Sequence, residues 1–208
     1  SSAFARSAPA NYIGKQELLR VKPLVSQADL QACSACLYNK RSAKKLRTLT
    51  DNMIPNAYSP AEIALALKLS LKACYGGSVF PKPELNRQIQ VQDSNGKFVR
   101  NVMPDLLWPR NKLVLEYDGI DFHSQPGDIA EDTSKRNLLR SAGFNVLNAT
   151  KKQLASAVEF SLLEDALNMN FGRKQLAKNF GVKNTVARAS LHNRLMAYLA
   201  RGKIFLDV

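Results

Sequence analysis

The alternation of apolar and polar residues divides the chain into blocks. Residues 1–27 show little periodicity, with Pro9 and Pro23 among Ser and Ala, and read as a loosely packed arm. Residues 28–53 carry a helical pattern with a basic cluster at Lys40, Arg41, Lys44, Lys45 and Arg47. Ser59-Pro60-Ala61-Glu62 has the chemistry of a helix start. Ser caps free N–H groups, Pro suits the first turn, and Glu sits at the positive end of the dipole. The run from Ile63 to Leu71 is core-like, and Tyr75-Gly76-Gly77 predicts the helix end.

The period then changes to two. Gln88 to Gln92 alternates, Asp93-Ser94-Asn95-Gly96 is a turn, Lys97 to Met103 resumes as a strand, and Leu106-Leu107-Trp108 continues it. Pro109-Arg110-Asn111-Lys112 interrupts the pattern before Leu113 to Asp118. This predicts a three-stranded antiparallel meander. Asp128 to Ala142 reads as a helix closed by Gly143, Phe144 to Leu147 as a strand, and 151–170 as one long helix. A strand, helix and strand in that order predict a parallel crossover. The expected class is α/β: a mixed sheet, meander plus parallel crossover strand, flanked by helices, with extra N- and C-terminal helices. The boundaries expected are 1–58 for an N-terminal arm and helical segment, 59–170 for the α/β domain, and 171–208 for a basic helical tail. Leu191, Leu195, Met196 and Leu199 stand at helical spacing in that tail.

Composition narrows the function classes. An apolar share of 45% in 208 residues suits a globular protein. No apolar run approaches the roughly 18 residues of a membrane span. Against 17 acidic residues stand 30 Lys and Arg, a net charge of +13. The tail from Phe171 to Val208 holds eight Lys and Arg against Asp207 alone, a net +7. Such a charge attracts phosphate backbones, so nucleic acid, DNA above all, is the expected partner. No basic amphipathic helix with aromatic anchors argues for a membrane surface. Cys33 and Cys36 form a CxxC, but Cys74 cannot complete a zinc ribbon. A reduced structural pair is expected. With no secretory pattern opening the chain, a cytoplasmic location is expected too.

In so basic a chain the clustered acids stand out: Asp105, Glu116, Asp118 and Asp121. Glu116 and Asp118 share one face of their predicted strand. A hairpin turning at Arg110-Asn111 sets Asp105 opposite Glu116, with facing Cβ atoms about 4.5–5.5 Å apart. Carboxylates that close repel unless a cation or proton sits between them. All-oxygen sites suit Mg²⁺ or Mn²⁺, which activate water and stabilise charge on a phosphate under attack. The alternative is a set of solvated strand-end acids paired with the abundant Lys and Arg.

An ordered set of motifs adds to this. Ser59-Pro60-Ala61-Glu62 is followed by Pro83-Glu84-Leu85-Asn86, Met103-Pro104-Asp105-Leu106, Glu116-Tyr117-Asp118-Gly119 and Phe122-His123. Asp132, Arg136 and Ala142-Gly143-Phe144-Asn145-Val146 complete it. From Ser59 to Leu154, about half the chain, this resembles the PD-(D/E)xK nuclease superfamily. Within it the similarity is to domains related to the very-short-patch repair endonuclease, often fused to antitoxin-like or abortive-infection regulators. The resemblance implies a restriction-endonuclease-like fold and hydrolysis of phosphodiester bonds in DNA. It implies Mg²⁺ or Mn²⁺ at Asp105 and Glu116, with Asp118 as a third ligand and member of the catalytic set. Glu62 would be an accessory acid. His123 would orient water or protonate the leaving oxygen. Arg136 would contact the scissile phosphate. Lys135, with Arg173 and Lys174 of the basic tail, is expected to make further nucleic-acid contacts. Asp118 stands where many members carry the catalytic Lys. Three explanations stay open. Lys135 reaches in from its helix, although its spacing from Arg136 points it elsewhere; a third carboxylate binds a second ion; or the domain binds nucleic acid without cutting, in a regulatory, antitoxin-like role.

Overall fold

A computed structural model of the chain describes residues 25–37, 41–92, 95–119, 126–173 and 182–201. The expected arm up to residue 24, together with Asp121, His123 and Lys174, lies outside them.

The helical pattern of 28–53 is two helices rather than one, α1 (Gln27–Cys36) and α2 (Arg41–Asn52). A capping box fixes the start of α1: the Ser26 hydroxyl accepts from the Asp29 N–H, and the Asp29 carboxylate accepts from the Ser26 N–H. Gln27 Nε2 donates to the Thr50 carbonyl at 2.7 Å, tying the two helices together. Cys33, Cys36 and Cys74 are free, exposed thiols, so the expected structural packing role of the CxxC pair is not seen.

Helix α3 (Pro60–Ser70) begins as its sequence dictates, with the Ser59 hydroxyl accepting from the Glu62 N–H and Pro60 in the first turn. It stops at Ser70, earlier than the glycines suggest, and a 3₁₀ turn over Ala73–Tyr75 carries the chain to Gly76.

Strands β1 (Glu84–Leu85), β4 (Leu106–Trp108), β5 (Leu113–Asp118) and β6 (Asn145–Thr150) form one sheet in the order β1-β4-β5-β6. The first two neighbour pairs are antiparallel and β5 with β6 is parallel, joined through α4 (Pro126–Ser141). The mixed α/β architecture and the parallel crossover are therefore present. The meander is not. Strands β2 (Ile89–Gln92) and β3 (Phe98–Val102) pair only with each other, as a separate ribbon. Pro104, which has no N–H to give a ladder, separates β3 from β4, and β1 takes the edge beside β4 instead.

Both sheet faces are covered, as a parallel pair requires. On one face Leu106, Trp108, Leu113 and Leu115 pack with α3, α5 (Lys151–Ala155), α6 (Ala157–Asn170) and Met196 and Leu199 of α7 (Val182–Arg201). On the other, Leu107 and Val114 pack with Val91 and Val102 of the ribbon and Leu139 of α4. The long helix expected over 151–170 is broken at Ser156, whose hydroxyl caps α6 by accepting from the Glu159 N–H. Among the described residues no helix is long and apolar enough to cross a membrane.

Candidate active site

The turn over Pro109–Asn111, closed by Lys112 in the left-handed conformation, sets the hairpin register. Leu106 pairs with Leu115, Leu107 with Val114, and Trp108 with Leu113. One step further along this register Asp105 faces Glu116, as the sequence predicts. Alternation puts Glu116 and Asp118 on the Val114 side of the sheet, towards α4 and the ribbon.

Two backbone N–H groups hold Asp105. Its Oδ2 accepts from the Tyr117 N–H at 2.7 Å, and its carbonyl accepts from the Asn86 N–H at 3.1 Å. Burial, followed by the Glu116 charge, pushes its carboxyl up to about 7; the Tyr117 N–H and Lys135 oppose the rise and Glu62 adds to it. Glu116 shares that environment. Its Oε2 receives the Lys135 ammonium at 2.8 Å, while its buried Oε1 has no hydrogen-bond partner. Lys135 thus does reach in from α4, contrary to the direction its spacing from Arg136 suggests. A salt bridge from crossover helix to strand is a long-range contact that local spacing does not encode.

Glu62 lies at the capped start of α3 and is buried. Its Oε2 accepts from the Tyr58 N–H at 2.9 Å and from Asn86 Nδ2 at 2.6 Å. Asn86 Nδ2 also donates to the Asn56 carbonyl at 2.8 Å, and Asn86 sits at φ +50°. Asn86 therefore links α3, the segment before it and the Asp105 backbone. The Pro83-x-x-Asn86 spacing flagged this residue without disclosing the bridge.

The other expected site residues divide. Asp118 ends β5, half-buried, opposite Thr150. Arg136 is half-buried and Asp132 exposed on α4. Arg173 stacks over the Phe80 ring, 4.9 Å from its centroid, and donates to the Val79 carbonyl at 3.2 Å. That guanidinium anchors the end of α6 against the loop before β1. Among the described residues no three His, Cys, Asp or Glu side chains form a metal-binding group. What the hairpin gathers is a pair, Asp105 and Glu116.

The pair fits a divalent cation. A buried Glu116 oxygen without a partner, beside an Asp105 carboxyl held partly protonated at neutral pH by burial and then by the Glu116 charge, is the hard oxygen set such ions bind.

Comparison of the chain with protein-family models, with curated proteins and with solved structures finds no match in any of the three.

Proposed function

We propose that this chain is a restriction-endonuclease-like domain that hydrolyses phosphodiester bonds in DNA with a divalent ion. The supporting observation is the Asp105–Glu116 pair, set by hairpin register and faced by the Lys135 ammonium in a chain of net charge +13. Asp105 and Glu116 would hold Mg²⁺ or Mn²⁺. Such an ion, when bound, supplies Lewis acidity toward a phosphate oxygen and a more acidic water.

The chain's own residues supply the rest. Lys135 brings from α4 the positive charge that the superfamily pattern places at position 118, where this chain has Asp. It orients Glu116 and offsets charge growing on the phosphate. Asn86 fixes the Asp105 backbone and the Glu62 carboxylate together, keeping the pair in place before substrate arrives. The wider basic surface draws the phosphate backbone to the site.

A second reading keeps the fold and drops the cutting. It is favoured by Lys135, whose ammonium already neutralises one Glu116 oxygen as a structural salt bridge does. The domain would then bind nucleic acid in a regulatory role. Plasmid and single-stranded DNA incubated with Mg²⁺, Mn²⁺ or a chelator separate the two. Ion-dependent cutting, lost in both Asp105→Ala and Glu116→Ala, supports the enzyme. Salt-sensitive binding without cutting supports the binding module.

A further inference from the structure

The β2–β3 ribbon has two unlike faces. Ile89, Val91 and Val102 turn inward against the sheet and α4. Gln90 lies opposite Asn101 and Gln92 opposite Phe98, and all four are exposed. The register shifts between Val91 and Gln92, leaving Val99 as an extra residue, also exposed. A bulge of this kind bends and twists a ribbon. Phe98 is 53% exposed.

The outer face thus carries three amides and an aromatic ring. Between Leu85 and Pro104 the only acid is Asp93, against Arg87, Lys97 and Arg100. Both strands of the ribbon join the candidate site at the same end, where Ile89 pairs with Val102. Ile89 follows Asn86 by three residues, and Val102 precedes Asp105 by three. Three residues of chain reach at most about 10 Å. The ribbon's four paired rows span three steps, about 10 Å further, the length of about three base pairs at 3.4 Å per step.

We infer that the outer face of the β2–β3 ribbon reads base edges in the major groove of duplex DNA, a few base pairs from the bond held at Asp105 and Glu116. A major groove about 12 Å wide admits a two-stranded ribbon. Gln and Asn amides present a donor and an acceptor together, the pattern that matches N6 and N7 of adenine. Phe98 and Val99 supply apolar contact for a thymine methyl. The inference rests on the nuclease-fold reading for its choice of ligand, but its test does not require cutting.

The full chain is used to select from short DNA duplexes with a randomised centre, without divalent ions, and binding is then read by fluorescence anisotropy. Enrichment of a short A·T-containing sequence is expected. The variant Gln90→Ala/Gln92→Ala/Asn101→Ala should bind the enriched duplex about tenfold to a hundredfold more weakly, yet bind unselected duplex as wild type does. These side chains are exposed, so the variant should melt as wild type does, and Phe98→Ala should give a smaller loss. No enrichment, or equal binding of the enriched duplex by the triple variant, overturns the inference. So does enrichment only from a single-stranded or RNA pool. A protein that cuts duplex with Mg²⁺ but enriches nothing would lose the ribbon inference and keep the nuclease reading. One that enriches through these amides but never cuts would keep the inference and lose catalysis.

Discussion

Lys135 is the residue on which the site's electrostatics turn. Removing its ammonium leaves the half-buried Glu116 beside Asp105 without this ion pair. Lys135→Ala should cost roughly 1–3 kcal/mol in urea unfolding and slow DNA cutting on the order of 10²-fold, with Lys135→Arg recovering part of both. An unchanged cutting rate in a stable Lys135→Ala protein would remove it from the chemistry. Asp105 makes the opposite kind of prediction. Its carboxyl is raised from 3.8 to about 7, so the folded state holds a proton that the unfolded chain has already lost. Stability therefore falls as pH rises from about 4 to 7 and stays lower above that. Asp105→Asn removes this dependence. Thermal melts without divalent ions should show the variant several degrees more stable than wild type at pH 8 and no different near pH 4. A gain at low pH, or none at high pH, would contradict the burial of this carboxylate beside Glu116. The facing of Asp105 and Glu116 was legible because Pro109-Arg110-Asn111 fixes where the chain turns. The Lys135 contact was not, because it joins residues 19 positions apart across a crossover.

Elements that local chemistry defines were readable, and those that packing defines were not. The start of α3 follows from Ser59 and Pro60, and the parallel β5–α4–β6 unit from its order along the chain. The ribbon's departure from the main sheet depends on Val91 and Val102 finding Leu107, Val114 and Leu139, which no local period announces. The break at Ser156 lies hidden between Ala155 and Ala157, where a single hydroxyl decides between one helix and two. Docking of α7 depends on a close approach that only glycine permits. At Gly76, φ is +87°, and an added Cβ would lie 2.6 Å from the Leu191 carbonyl oxygen. Gly76→Ala should therefore lose roughly 1–3 kcal/mol from the left-handed conformation alone, with more from displacement of α7, measured by urea unfolding. A neutral substitution would mean that α7 does not pack on this turn. The same region holds a polar cluster unseen in the sequence. Lys68 Nζ donates to the Gly76 carbonyl at 2.5 Å, Glu164 accepts from Ser78 and from Arg188, and His192 is buried with Nε2 unpartnered. Burial, followed by the Lys68 charge, lowers the affinity of the His192 imidazole for a proton.

Taken together, a basic molecule presents a half-buried acidic pair beside the β4–β5 hairpin register. Under the proposed function, a net charge of +13 sets how the molecule should meet nucleic acid. Binding should weaken steeply with salt, by about a thousandfold between roughly 50 and 200 mM, as phosphate-bound counterions are released. Anisotropy titrations check this, and salt-independent binding would exclude the phosphate backbone as the partner. The overall class, an α/β fold with a mixed sheet, was visible in the sequence because hydrophobic period and turn chemistry agree over most of residues 59–170. Of the expected site residues, His123 and Lys174 lie outside the described residues, and Asp118 is not gathered with Asp105 and Glu116 into a metal-binding group.

Calorimetric titration of the full chain with Mn²⁺ at pH 7.5, in buffers of different ionisation enthalpy, bears most directly on the shared role of Asp105 and Glu116. Binding at one site is expected, with release of part of a proton from Asp105 and loss of the heat signal in both Asp105→Asn and Glu116→Gln. Mn²⁺ binding that survives in both variants, or no binding by a folded wild-type chain, would contradict it.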